Sequence, residues 1–310
     1  MIWKDTEPHR PVINGRQVLK INSLLRESSN ALATQPKQLA ANKTMVFTGT
    51  HVYGKGFVIS SSERDHFIKL DPNSAEIIRP FLKGEDINRH PLHAHSEWII
   101  DFGDMPEEEA RRWPDLFSHL EKTVKIERMK QTKQVHEPCF WKHWDKRSKL
   151  YSKLSTLEYC LVHAFIGKHI GFAFVPADQI IATPQAVWPT HSKALFSVLQ
   201  SSFHAVWVFE RSSKMGQSIR YAPSDCFQTF PLPLPLDRKE LHEVGERYLS
   251  FRGSIMASRQ EGMTTIYNQF HDPRENSEDI KQLRRLQCEL DSYVVLAYGW
   301  GGDRNFTWLL

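Results

Sequence analysis

Residues 228–236 read QTFPLPLPL, and this short run constrains the fold more than any other feature of the chain. Pro231, Pro233 and Pro235 remove three backbone donors and lock three φ angles. Such a stretch fits neither a helix interior nor a central strand. It divides two kinds of sequence. Before it, short runs of β-formers alternate with helical segments. After it, the apolar period becomes helical. Leu241, Val244, Tyr248 and Phe251 fall roughly on one face. Residues 264–270 form another short segment beyond Gly262. Ile280, Leu283, Leu286, Leu290, Val294 and Ala297 then mark an amphipathic helix. The expected class is α+β: an irregular lead-in over 1–44, a mixed β-sheet body over 45–236 and a helical segment over 237–310. No internal repeat is visible.

Within the body, 45–60 (MVFTGTHVYGKGFVIS) reads as a hairpin, and a helix should start near Ser62 and run to Leu70. Residues 76–88 suggest a short helix ending at Gly84. HSEWIIDFG (95–103) reads as a strand. Residues 105–130 read as helix, with Pro106 and a Glu run suited to the positive end of the helix dipole and a break at Pro114. GFAFVPADQII (171–181) and SFHAVWVFE (202–210) read as buried strands, with a helix over 193–202 between them.

Several chemistries lack their residues. An amino-methyltransferase needs a Gly-rich turn for its cofactor and an Asn/Asp-Pro-Pro-aromatic loop for the target base. Asp71-Pro72-Asn73 is not such a loop, and Gly49, Gly54 and Gly56 are not followed by a helix. A metal-dependent nuclease needs an acid followed by Glu-x-Lys. Asp115 followed by Glu127-Arg128-Met129-Lys130 has the wrong spacing and reads as a helix-surface pair. His90, His93 and His95 lie in a proline-containing stretch without nearby Cys or paired carboxylates, which favours a polar loop over a metal site. No Gly-x-Ser-x-Gly elbow exists. Catalytic, cofactor and metal residues are therefore expected to be absent from this sequence. Cys139, Cys160, Cys226 and Cys288 are far apart, which points to free thiols in a reducing cytosol. With no signal-like or membrane-length apolar run, the expected location is cytoplasmic, away from membranes.

Charge distribution says more than the net +4. Residues 104–121 are mostly acidic. From Lys122 to Lys153, ten basic residues face three acidic ones. In its middle, Phe140-Trp141-Lys142-His143-Trp144-Asp145-Lys146-Arg147 alternates rings with cations, a pattern suited to phosphate neutralisation and base stacking. For Trp141 and Trp144, three residues apart, packing of one helix face into the core with the lysines outside is the favoured reading. The candidate nucleic-acid ligands are Lys125, Arg128, Lys142, Lys146, Arg147 and Lys149, joined by Ser201, Ser202, Arg211, Lys214 and Arg220 from loops around 200–220. For the serines the alternative is helix capping. For Arg220 it is bracing against Asp225.

These residues also form a familiar ordered series. Gly54-Lys55-Gly56-Phe57 is followed by Arg79-Pro80-Phe81-Leu82-Lys83-Gly84-Glu85-Asp86. Then come Trp98 to Phe102, Val124-Lys125 with Glu127-Arg128, Trp141 to Arg147, Leu199 to Ser202, Arg220-Tyr221 and Asp225 to Pro231. The series resembles the target-recognition domain of MmeI-like type IIG/IIL restriction–modification methyltransferases and related BREX-type adenine methyltransferases, over roughly residues 40–300. The resemblance implies that residues 45–236 bind duplex DNA and read a short site. It further implies that S-adenosylmethionine sits on a separate methyltransferase domain or subunit, the expected protein partner. On this reading the chain is a split subunit, a fragment or a truncated remnant.

Overall fold

The computed structural model describes residues 36–130, 139–215 and 218–300, together with the backbone of the paired strands Val12–Ile13 and Arg16–Gln17; the side chains of Lys214 and Met215 are outside the description. It is an α+β structure with two four-stranded sheets and a run of long helices at its C-terminal end.

The first sheet has the order Ile180–Ile181, Ile78–Leu82, Glu97–Ile100, Val58–Ile59. Its outer pairing of Ile180–Ile181 with Phe81 and Leu82 is parallel, and the other pairs are antiparallel. The Ser61–Leu70 and Pro114–Leu120 helices pack on it, enclosing Phe57, Ile59, Ile99, Phe117, Leu120 and Trp141 in one apolar cluster. The second sheet is antiparallel, in the order Phe47–Thr48, Gln185–Trp188, Tyr159–Ala164, Ala173–Pro176. It shares a larger cluster with the helices Lys193–Gln200, Lys239–Arg259, Met263–Phe270 and Glu278–Ala297. The helices after residue 236 thus share a core with residues that precede it.

One stretch of chain stitches the sheets together. Residues 180–181 belong to the first sheet and 185–188 to the second. Because strand side chains alternate, Ile180 enters the smaller cluster and Ile181 the larger. Tyr151 clamps the junction: its hydroxyl accepts from the Ile181 N–H at 3.0 Å and meets the Thr50 hydroxyl at 2.8 Å.

Three expectations are corrected. Residues 45–60 form no hairpin. Phe47–Thr48 and Val58–Ile59 lie in different sheets, because the chain between them pairs elsewhere: Thr50 N–H with Ile181 O, and His51 with Asp145. Residues 78–82 are a strand, and Gly84 begins the Gly84–Arg89 helix instead of ending one. Pro80 is tolerated in that strand because its parallel partner starts only opposite Phe81, so no ladder donor is missed. A Cβ at Gly84 would come within 2.9 Å of the Gln185 amide, which explains the glycine. Finally, SFHAVWVFE is the Ser202–Arg211 helix. The Ser201 hydroxyl caps it by accepting from His204 N–H, and His204 and Val208, four apart, are its two fully buried side chains. A good cap and a helical burial period outweigh the β-propensity of the ring-rich sequence.

Other elements match the sequence reading. Glu97–Ile100 is a strand, and Ser60 opens the next helix with a reciprocal capping box involving Glu63. Helix covers 107–110 and restarts at Pro114, continuing through a widened turn over Glu121–Lys125 to Met129.

Gly262 sets how the Met263–Phe270 helix docks. A Cβ there would lie 2.2 Å from the Arg89 carbonyl oxygen and 2.4 Å from its Cα. Both are backbone atoms, so no rotamer change relieves the clash. Gly262→Ala is expected to cost about 1–3 kcal/mol, the usual range for overpacking, read as a lower urea midpoint at unchanged slope.

Candidate nucleic-acid interface

The basic stretch is built from three pieces around the first sheet. The helical rod ending at Met129 carries Lys125 and Arg128. A loop carries Trp141 to Arg147. The short Ser148–Leu154 helix carries Lys149 and Lys153. Trp141 is buried and its indole N–H donates to Met105 O at 3.0 Å. His143 is buried between Ile100 O, at 2.9 Å, and the Asp101 carboxylate, at 3.6 Å. Burial pushes its pKa down, and Asp101 only partly offsets this.

The cations differ sharply in how free they are. Arg128 is 2% exposed. It donates to Tyr53 O at 2.9 Å, Lys142 O at 2.9 Å, Val52 O at 3.2 Å and Cys139 O at 3.4 Å. Its donors are spent tying two loops together inside the protein. Lys142 donates to Asp104 O at 3.0 Å, and Lys146 pairs with the Asp104 carboxylate. Burial also holds the Lys146 ammonium below the usual lysine value. Thus the acidic and basic blocks of the sequence partly neutralise each other through Asp104. Lys125 pairs with Glu121 one helical turn away, at 3.1 Å. Arg147 pairs with its neighbour Asp145 at 3.1 Å, half-exposed, an arrangement worth little in water and readily exchanged for a phosphate. Lys149 is exposed and has no ion-pair partner among the described residues.

The later candidates also divide. Ser201 is fully buried, and its hydroxyl donates to Val198 O at 2.7 Å. Ser202 turns to the C-terminal helix: its N–H and hydroxyl donate to the two Asp291 carboxylate oxygens at 2.8 and 2.6 Å. The guanidinium of Arg211 lies over Trp207 at 4.9 Å. Lys214 and Arg220 sit on the two antiparallel strands Ser213–Met215 and Ser218–Arg220, beside Ile166–Gly167. Arg220 is exposed and makes no ion pair with Asp225 or any other described residue.

Sequence reasoning missed two clefts. One, of about 490 Å³, is lined by Tyr53, Lys55, Val58, Phe81, Glu127 and Thr183 among others. The second, of about 430 Å³, includes Asn88, Arg89, Lys168, Pro184, Gln185 and Ser218. They meet at Thr183 and Pro184, one residue lining each. Lys55, Arg89 and Lys168 are exposed. The available signal was the GKG stretch at 54–56. Its glycines serve close approach: a Cβ on Gly56 would strike Thr123 Oγ1 at 2.1 Å, and Gly54 has φ 155. Among the described residues no group of three His, Cys, Asp or Glu side chains is placed to hold a metal, and no helix is long and apolar enough to cross a membrane.

Comparison with known proteins gives one family and one fold. A family model described as "MmeI, target recognition domain" matches residues 27–234. Among solved structures, the fold is similar to that of the Type IIL restriction-modification enzyme MmeI, whose structure was solved in complex with DNA. The TM-score is 0.69 at 20% identity, over 93% of this chain and 37% of that one. The chain therefore spans little more than a third of that enzyme's length. No curated protein matches it in sequence.

Proposed function

The chain belongs to the MmeI target-recognition-domain family, and on that footing we propose that it reads a short site in duplex DNA. It does so for a restriction–modification adenine methyltransferase whose S-adenosylmethionine and bond-making groups sit on another domain or subunit. The carrying observation is the family match over residues 27–234, which spans the two four-stranded sheets, the basic stretch, the Tyr53 cleft and most of the second cleft. The exposed cations Lys149 and Arg220 and the loosely paired Arg147 supply phosphate contacts that position the protein. Side chains along the two clefts and the Ser218–Arg220 strand supply base readout, each good bidentate contact contributing about 1–3 kcal/mol of discrimination. Arg128, Ser201 and Ser202 act indirectly, by holding the loops and helices that frame this face.

The test is selection from random duplexes, followed by affinity measured against salt. A steep salt dependence is expected. Arg147→Ala and Lys149→Ala should each reduce its slope by about 0.9, the value of one released counterion. Lys146→Ala should change it less, because Asp104 already holds that ammonium. Affinity that ignores salt, or slopes identical in all three variants, would refute the reading.

A further inference from the structure

We infer that the Tyr53 cleft is a binding site for an unstacked nucleobase that carries an exocyclic amino group. This rests on the proposal that the chain binds duplex DNA, and adds a specific pocket to it.

Four observations converge on the cleft. First, its floor is apolar, from Val58, Phe81 and Ala182, and its volume of about 490 Å³ is ample for a base with its sugar. Second, two half-buried rings line it, His51 and Tyr53 at 5.9 Å between centroids, and Trp144 packs against Tyr53 from beside the cleft at 6.1 Å. Such rings offer π-faces of the kind on which any base stacks. The His51 ring nitrogens, the Tyr53 hydroxyl and the Trp144 indole N–H make no hydrogen bond among the described residues, unlike Trp141 and His143 nearby.

Third, the Tyr53 backbone is held at φ 51, a left-handed conformation unusual for a tyrosine. Arg128 maintains it, donating to the Val52 and Tyr53 carbonyls. Such strain persists only where surrounding structure over-determines it, and it concentrates at ligand-contacting positions. Here it stations an aromatic ring at the mouth of a cleft. Fourth, Glu127 lines the same cleft with a fixed carboxylate, its Oε2 accepting from the Lys55 N–H at 2.8 Å. The acceptor capacity left over suits an amino group on adenine, cytosine or guanine. Lys55 lines the cleft and is exposed, where the phosphates of an extruded nucleotide would pass.

The experiment compares the full chain on four fluorescent DNAs at one salt concentration: a fully paired duplex, the same duplex with one adenine opposite an abasic site, the same with thymine in place of that adenine, and the single strand alone. The duplex with the unpaired adenine should bind about tenfold more tightly than the paired one, the scale of one base–aromatic stack. Tyr53→Asn, whose side chain tolerates the left-handed backbone, should remove that preference, and Trp144→Ala, which takes away the ring packed against Tyr53, should weaken it. Glu127→Gln should lessen the preference for adenine over thymine at the unpaired position. Equal affinity for paired and unpaired duplexes overturns the inference and leaves duplex recognition standing. A preference that survives both ring substitutions overturns it as well. Tightest binding to the single strand assigns the cleft to strand ends instead of extruded bases and overturns the duplex form. Absence of binding to every DNA removes the functional proposal itself.

Discussion

Between pH 6.5 and about 4 the protein is expected to lose most of its stability, and His204 and His163, its most deeply buried histidines, supply a large share of that loss. His204 is fully buried and His163 nearly so. The His204 Nδ1–H donates to Leu199 O at 2.7 Å, which leaves Nε2 as the acceptor facing the Tyr221 hydroxyl at 3.3 Å. His163 Nδ1–H donates to Gly171 O at 2.7 Å and stacks on Phe172. Burial among rings pushes His204 down to about 3 and His163 to about 4. In the unfolded chain both titrate near 6.5. The unfolded state therefore binds protons that the folded state refuses, so this stability is present above pH 6.5 and lost as pH falls through the lower values. Each histidine contributes a slope of about 1.4 kcal/mol per pH unit. Two units of acidification thus cost about 5 kcal/mol, comparable to the whole stability of an ordinary domain. Asp291 works the other way, because burial raises its pKa, but His93 and His271, each pushed down to about 4 mainly by burial, act in the same direction as His204 and His163. Urea midpoints measured from pH 7 to pH 4.5 check this. Midpoints unchanged down to pH 5 would defeat it, and His204→Gln should make the dependence visibly shallower.

Replacing Arg128 by methionine is expected to cost about 3–5 kcal/mol. The stem is matched by methionine, so the loss comes from the head. The carbonyls of Val52, Tyr53, Cys139 and Lys142 would each lose a donor, in a place where water does not easily reach. Buried groups left unsatisfied cost about 1–3 kcal/mol apiece, and relaxation of the two loops recovers part of that. Arg128→Lys should rescue little, because one ammonium cannot span a fork of four carbonyls. The expected readout is a drop in denaturant midpoint together with loss of near-ultraviolet signal from Trp144 and Tyr53. A variant within about 1 kcal/mol of the parent would show that the loops hold without the guanidinium.

The two predictions also mark where sequence reading stops. The apolar spacing of Leu241, Val244, Tyr248 and Phe251, and of Ile280, Leu283, Leu286, Leu290, Val294 and Ala297, is followed by burial of every one of those residues except Phe251, which is half-buried. A helical period is a local record of one buried face, so it is visible in sequence before any partner is known. The proline run at 231–235 and the strand at Glu97–Ile100 were legible for the same local reason. Charge was not. Arg128, Lys146 and Lys149 look alike in a basic stretch, yet one is buried under four carbonyls, one is paired with Asp104 and one is free in solvent. The hydroxyls of Ser201 and Ser202 likewise look available in sequence and are spent on a helix cap and on Asp291.

By itself, then, the amino-acid order determined the fold class, the position of the terminal helices and, through its ordered motifs, the family. Only the tertiary structure decided which strands share a sheet, which cations keep their charge for a partner, and that a ring-edged cleft opens beside Tyr53. The physical reason is range. Periodicity and capping act among neighbours a few residues apart. Strand partners, buried donors and clefts depend on groups such as Tyr53 and Arg128, which lie 75 residues apart in the chain and meet only when it folds.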